Sequence, residues 1–154
     1  MINMINKVLI KNVQGRLKED HFMTLTTLKY HGNGLFEYAG VHLDMIVYRK
    51  KKGQCELIPT RGFWLNVMPE IESVTENNSF ILDTGDILVL FTDGITEARN
   101  HRNQFLGKKQ FINIIERHIN NDMAAMCDKI INDVLNWCDK KQNDDITLLV
   151  IRKI

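Results

Sequence analysis

The chain has 154 residues, of which 44% are apolar and 25% are charged, proportions typical of a globular domain and unlike those of a disordered or fibrous protein. Twenty Lys and Arg against nineteen Asp and Glu leave a net charge of +1, which gives no electrostatic reason to bind nucleic acid or an anionic membrane. The sequence shows neither an apolar run of membrane-spanning length nor a hydrophobic leader, so a cytoplasmic protein is expected.

The first part of the chain has the pattern of one helix followed by several strands. Apolar residues recur at three- and four-residue steps from Ile2 to Leu17, which predicts an amphipathic helix. β-branched and alternating residues then predict strands joined by glycine-containing turns into an antiparallel meander. The expected strands cover residues 22–30, 35–39, 45–49 and 54–59. The basic residues 49–52 between the last two strands are expected to face solvent.

The second part of the chain begins with a long loop over residues 60–78 and a short strand over 79–82. Residues 87–91 (ILVLF) are apolar on both faces, as a central strand covered on both sides requires. Two amphipathic helices are expected at 108–120 and 122–139, and a last strand at 146–151. Strands followed by helices predict an α+β fold with antiparallel sheets.

Acidic residues stand beside the two most apolar strands of this second part. Asp93 follows residues 87–91, and Gly94 lets the backbone turn closely there. Asp144 and Asp145 precede the last strand, so neighbouring strands would bring Asp93 and Asp144 together. Carboxylates in that position suit Mg²⁺ or Mn²⁺ rather than zinc. The alternative is that each acidic motif only shapes the turn in which it lies.

The residues around both acidic motifs resemble those of a known phosphatase family. Residues 85–100 (GDILVLFTDGITEARN), 105–107 (FLG) and 143–150 (NDDITLLV) look like the C-terminal half of the SpoIIE/RsbU-type metal-dependent protein serine/threonine phosphatases. These enzymes are a bacterial branch of the PP2C-like (PPM) family. Upstream segments at 20–25, 38–40 and 61–69 extend the resemblance over nearly the whole chain.

The resemblance implies a fold, a reaction and a set of site residues. The family's fold is an α-β-β-α sandwich, and its two-metal centre of Mn²⁺ or Mg²⁺ activates the water that hydrolyses phosphoserine or phosphothreonine on a regulatory protein. No side chain of the protein then acts as the nucleophile. By position, Asp93 and Asp144 would be metal ligands, and Gly94 and Asp145 would support them. The motif residues Glu97 and Arg99 would be structural.

One motif of the family does not occur in this sequence. An Asp-x-x-Gly-His-Gly motif in the family's N-terminal βαβ segment supplies the carboxylate that bridges both metals, and no such motif is present here. Residues 1–154 are therefore expected to form a partial, truncated PP2C-like sandwich with weak metal binding. Its uncovered sheet edges predict a homodimer or a complementing chain. The alternative function is that of an inactive phosphatase fragment that binds a phosphoprotein or acts in partner switching.

Overall fold

The computed structural model describes residues 1–16 and 22–154, which contain four α-helices, one short 3-10 helix (Glu72–Val74) and seven strands. The helices are α1 (Ile2–Arg16), α2 (Asp93–Thr96), α3 (Gly107–His118) and α4 (Met123–Trp137). The strands are β1 (Leu25–Gly32), β2 (Leu35–Val41), β3 (Met45–Arg49), β4 (Gln54–Ile58), β5 (Asn77–Ile81), β6 (Ile87–Phe91) and β7 (Leu148–Arg152). They divide into two units, Met1–Asp44 with Pro59–Ile81, and Met45–Ile58 with Leu82–Ile154.

The first unit contains helix α1 and an antiparallel sheet in the order β1-β2-β5. Its apolar core joins Ile2 of the helix to Leu65 and Ile71 of the long loop. Gly40 lies in the central strand with a φ of +94°, and an added Cβ would collide with the Leu25 carbonyl oxygen and lie 2.8 Å from Ile2 Cδ1. Only glycine permits this close approach of the helix and the β1 backbone.

A buried asparagine ties helix α1 to the long loop. Asn6 is fully buried, and its Nδ2 donates hydrogen bonds to the carbonyl oxygens of Met68 at 2.8 Å and Pro69 at 3.3 Å. Its Oδ1 accepts a hydrogen bond from the backbone N–H of Asn66 at 2.8 Å. Both halves of the amide are satisfied, which is the condition for burying such a group.

The second unit contains an antiparallel sheet in the order β4-β3-β6-β7 and the other three helices. Strand β6 pairs with both β3 and β7, and Leu88 and Val89 within it are fully buried. Helix α4 packs against β7 and α3. Its N-terminus is capped by the Asp122 side chain, which accepts a hydrogen bond from the Ala125 backbone N–H at 2.9 Å. The predicted central strand, both long helices and the α+β antiparallel class are confirmed.

Three predictions from the sequence need correction. The first four strands do not form one meander, because β1 and β2 belong to a sheet in which β2 also pairs with β5, whereas β3 and β4 belong to the other sheet, in which β3 also pairs with β6. The first strand begins at Leu25 and not at residue 22. The basic hairpin does not face solvent throughout, since Arg49 is 18% exposed and pairs with Glu56 at 2.6 Å and Asp86 at 2.8 Å. The predicted helix end at Leu17 lies outside the described residues.

Short elements and the ends of helices and strands account for the remaining differences. Helix α2 was not predicted, because a four-residue helix with a glycine in it carries no periodic pattern. Predicted ends of the longer helices differ from the observed ends by one or two residues, the usual uncertainty of fraying termini. Within residues 1–16 and 22–154, no helix is both long and apolar enough to cross a membrane.

Candidate functional site

Asp93 lies where the buried strand β6 gives way to helix α2. Thr92 is the N-cap of that helix, and Asp93 is its first residue. The Asp93 carbonyl oxygen accepts a hydrogen bond from Glu97 N at 2.7 Å, and the next two residues, Gly94 and Ile95, are buried. The backbone of Asp93 is thus held firmly, whereas its side chain is exposed and has no hydrogen-bond partner among the described residues.

Gly94 brings this turn against the segment that precedes β7. A Cβ at position 94 would overlap the Asp145 carbonyl oxygen, and would lie 3.0 Å from Asp145 C and 3.4 Å from Asp144 C. Any side chain at this position would therefore push the two segments apart. The predicted site residues Asp93, Gly94, Asp144 and Asp145 consequently lie on two adjacent stretches of backbone within one unit.

Thr92 fastens the same two segments through its hydroxyl group. The hydroxyl donates to the Asp145 carbonyl oxygen at 2.9 Å and accepts from the Thr147 backbone N–H at 2.9 Å. The Thr92 backbone N–H also donates to the Thr147 carbonyl oxygen at 3.2 Å. These bonds prolong the β6–β7 pairing beyond its last paired residues. Thr92 lies in the motif that carries the family resemblance, but its role in joining the two segments was not predicted from the sequence.

The carboxylates that precede β7 differ in how they are bound. Asp144 Oδ1 accepts a hydrogen bond from the Asp145 backbone N–H at 2.7 Å, and Gln142 Nε2 donates to the Asp144 carbonyl oxygen at 2.7 Å. The Asp144 Oδ2 atom and the Asp145 carboxylate have no partner in the described parts of the chain. Both aspartates are exposed, so their oxygens are accessible to a hydrated cation.

The carboxylate oxygens of Asp93 and Asp144 are the kind of ligand that a hard divalent ion prefers. Mg²⁺ in proteins commonly keeps several waters and is bound by one or two carboxylates, which the exposed oxygens of Asp93 and Asp144 could supply. Over residues 1–16 and 22–154, however, no three His, Cys, Asp or Glu side chains converge in a metal-binding group. The donor set therefore fits a water-rich Mg²⁺ or Mn²⁺ site and does not fit a fully protein-ligated one.

The two other acidic and basic residues of the motif make different contacts. Glu97 is exposed. The Arg99 guanidinium lies 4.2 Å from the ring centroid of Phe105 and donates to Asn103 Oδ1 at 2.8 Å. Trp137 Nε1 donates to the Ala98 carbonyl oxygen at 3.2 Å, which joins this turn to helix α4. The contacts of Arg99 agree with the structural role expected for it.

Comparison with known protein families gives a match over almost the entire chain. The family model of stage II sporulation protein E (SpoIIE) matches residues 1–153. Phosphoserine phosphatase RsbU of Bacillus subtilis (strain 168) is 28% identical over 151 residues, which make up 97% of this chain and 43% of RsbU. The chain thus spans less than half of the length of this relative.

Solved structures share the fold at lower sequence identity. The phosphatase domain of SpoIIE from Bacillus subtilis, presoaked with Mn, has a TM-score of 0.62 and 19% identity, over 96% of this chain and 66% of that one. The catalytic domain of the serine/threonine phosphatase PstP in complex with two manganese ions, a protein of Mycobacterium tuberculosis, has a TM-score of 0.70 and 13% identity, over 97% and 66%. The PP2C-like fold predicted from the sequence is confirmed by these likenesses.

Proposed function

This chain belongs to the SpoIIE family, within the SpoIIE/RsbU-type branch of the PP2C-like phosphatases, and from that membership we propose that it hydrolyses phosphoserine or phosphothreonine on a protein with the help of Mn²⁺ or Mg²⁺. The contact of Gly94 with the Asp144–Asp145 backbone carries the proposal. This contact supports the proposal because it brings the backbones of the two acidic motifs side by side, although 50 residues separate Asp93 from Asp144 in the sequence.

Asp93 and Asp144 would hold the metal ion, and the residues around them would fix its position. When bound, the ion would supply the Lewis acidity that activates water and stabilises negative charge on the phosphoryl oxygens. Thr92 and Gly94 keep the two backbones in register through the hydroxyl bridge and the close approach. Asp145 orients Asp144, because its N–H donates to Asp144 Oδ1.

The substrate in this proposal is a phosphorylated regulatory protein. The name of the relative RsbU, a phosphoserine phosphatase, supports this choice of phosphoamino acid. We further propose that a second copy of the chain or a complementing chain covers the exposed edge strands. Light scattering during size-exclusion chromatography tests this assembly, and a monomer at all concentrations would argue against the homodimer.

The experiment for the activity measures phosphate released from a phosphoserine peptide at increasing Mn²⁺ concentrations. Asp93→Asn and Asp144→Asn keep the side-chain size and remove a charged ligand, so each is expected to lower the rate at least tenfold. Asp139→Asn, which changes an exposed carboxylate after α4, is the matched control and should leave the rate unchanged. Activity that survives both ligand substitutions would come from a contaminant and would refute the proposal.

The second candidate function is that of an inactive domain that binds a phosphoprotein. The observation that favours it is the lack of a third metal-ligating side chain beside Asp93 and Asp144 within the described residues. This candidate predicts no phosphate release at any Mn²⁺ concentration. It also predicts that the domain binds the phosphorylated peptide with higher affinity than the unphosphorylated peptide. The same peptide pair in a calorimeter therefore separates the two functions.

A further inference from the structure

A cavity lies in the same unit as the acidic site but away from it. Its volume is about 240 Å³, and it is lined by Tyr48, Lys50, Gly85, Ile87, Ile119, Asn120 and Arg152. It adjoins the start of strand β6, whereas Asp93 follows the end of that strand. At about 3.3 Å per residue along a strand, the two sites are roughly 20 Å apart.

Two of the lining side chains present hydrogen-bond donors that nothing in the described chain accepts. Tyr48 is only 8% exposed, yet its hydroxyl has no partner among residues 1–16 and 22–154. Lys50 uses its backbone N–H to bind Asp86 Oδ1 at 2.9 Å, but its ammonium group has no described partner. The Tyr48 hydroxyl is not among the buried side-chain atoms that lack a partner, so it reaches the surface of the cavity, where it and the exposed Lys50 ammonium group are available to a ligand.

The position of the Lys50 side chain depends on Gly85. A Cβ at Gly85, where φ is +90°, would collide with Lys50 Cδ and lie 3.1 Å from Lys50 Nζ. The glycine therefore leaves room for the lysine to lie along the turn at the mouth of the cavity. This holds one ammonium group beside the cavity at little cost in backbone strain.

Arg152 supplies a second positive charge from strand β7. Its Nη2 donates to the carbonyl oxygens of Ile119 at 2.6 Å and Asn121 at 3.1 Å, so the guanidinium offsets the negative end of helix α3. Its Nε and Nη1 atoms have no partner in the part of the chain described. Part of the guanidinium thus anchors the helix, and the rest is left for a ligand.

No carboxylate lines this cavity. Asp86, the neighbour of Gly85 in the sequence, directs its oxygens to Arg49 Nη1 at 2.8 Å and to the backbone N–H groups of Lys50 and Asp83. Its charge is therefore matched by donors other than those of the cavity. The lining keeps two positive charges, a hydroxyl and the Asn120 amide.

From this arrangement we infer that the cavity binds a small oxyanion, with inorganic phosphate as the representative ligand. Lysine and arginine are the side chains that commonly bind phosphate, and hydrogen bonds to an ionised acceptor are the strong ones. The volume falls below the roughly 300–1,000 Å³ of pockets for drug-sized ligands, so a phosphate with a few waters fits better than a nucleotide. The site is independent of the proposed hydrolysis.

The test is a titration of the full chain with phosphate, monitored by two-dimensional amide NMR. EDTA is present throughout, and chloride holds the ionic strength constant. Saturable shifts are expected around residues 48–50, 85–87 and 152, and sulfate should produce them as well. Lys50→Ala should weaken phosphate binding at least tenfold, and Tyr48→Phe should weaken it several-fold. Lys51→Ala is the matched control on the same hairpin, because Lys51 is 81% exposed and lies outside the cavity lining, and it should change the affinity less than twofold.

Asp93→Asn separates this site from the acidic one. Phosphate affinity should stay within twofold of the wild-type value in that variant, because EDTA is present and the cavity lies elsewhere. Loss of binding in Asp93→Asn, absence of saturable binding by the wild type, or unchanged affinity in both Lys50→Ala and Tyr48→Phe would each overturn the inference. Tyr48→Phe removes a single oxygen atom, so a failure to fold cannot explain its effect, and unfolding curves of all variants confirm this.

Discussion

Gly94 is the residue whose replacement best tests how the two acidic motifs meet. It lies in helix α2 without a positive φ, and helix propensity alone would make Gly94→Ala stabilising by about 1 kcal/mol. The added methyl group would overlap the Asp145 carbonyl oxygen, and overpacking of this kind costs about 1–3 kcal/mol. We expect a net loss of stability in urea unfolding and weaker Mn²⁺ binding by calorimetry.

Gly53→Ala is the matched control for that experiment. Gly53 has a φ of +67° and open space around it, so alanine there costs about 1 kcal/mol of backbone strain and should leave Mn²⁺ affinity unchanged. A Gly94→Ala protein that is more stable than the wild type and binds Mn²⁺ equally well would show that the close approach does not position the carboxylates.

Asp86 links stability to pH in the same unit. Burial by itself would raise the pKa of this carboxyl, but hydrogen bonds from Arg49 and from the backbone N–H groups of Lys50 and Asp83 outweigh burial and lower it. A folded-state pKa below the unfolded value means that the stabilisation is complete above about pH 4 and is lost as pH falls through the folded pKa. Urea unfolding at a series of acidic pH values should show this decline.

Asp86→Asn should remove that acid dependence along with the ion pair. Breaking a buried pair at one partner costs about 3 kcal/mol near neutral pH, because the Arg49 guanidinium then loses the buried carboxylate that now lies 2.8 Å away. Asp83→Asn, at a position that is 56% exposed and pairs with Lys51, should cost about 0.5 kcal/mol or less. If the stability of the wild type and of Asp86→Asn falls equally as the pH is lowered, Asp86 is not the group that links stability to pH.

At the scale of single residues, sequence reasoning identified charged groups better than their partners. Asp93 and Asp144 stand out because carboxylates beside apolar strands need an explanation, and the segments that carry them do lie side by side. The roles of Thr92 and Asp86 could not be foreseen, since both depend on which residues the neighbouring strands place opposite them. Such partners follow from register, which one sequence does not specify.

Helix α1 offers a prediction at the scale of an element. Asn6→Ala would leave the Met68 carbonyl and the Asn66 N–H without the amide that now binds them, and buried unsatisfied groups cost about 1–3 kcal/mol each. We expect a loss of about 3 kcal/mol in stability and faster hydrogen exchange at the Asn66 amide. Asn12→Ala on the same helix removes only an exposed bond to the Val8 carbonyl and should change stability by about 0.5 kcal/mol or less. Equal effects of the two substitutions would show that Asn6 does not anchor the loop.

Elements with a strong hydrophobic pattern could be predicted from the sequence, and short ones could not. The bounds predicted for β3 and β6 agree with the structure because both strands are runs of buried residues ended by polar turns. The predicted limits of β1 and β5 differ from the observed limits by one to three residues, since their exposed residues give a weak alternation. Helix α2 exists because tertiary contacts of Gly94 and Ile95 hold it, and no local pattern records such contacts.

For the molecule as a whole, the fold class could be predicted, but the assignment of strands to sheets could not. Consecutive strands with short turns favour one meander, yet the chain changes sheets between β2 and β3. The partners that decide this, β5 and β6, come about 40 residues later in the sequence. The family resemblance predicted the PP2C-like fold directly. Motifs spread over the whole chain therefore gave more information about the fold than local periodicity did.

Metal-dependent stability is the prediction that belongs to the complete chain. An ion that binds only the folded state stabilises it by about 2.7 kcal/mol at a hundredfold excess over its Kd, and for a chain of this length that raises Tm by about 5–10 °C. The rise should occur with Mn²⁺ or Mg²⁺ and should be abolished in Asp93→Asn and in Asp144→Asn. Asp139→Asn should keep it. If Asp93→Asn and Asp144→Asn gain as much in Tm as the wild type, the ion binds elsewhere. The two acidic motifs then only shape the turns in which they lie.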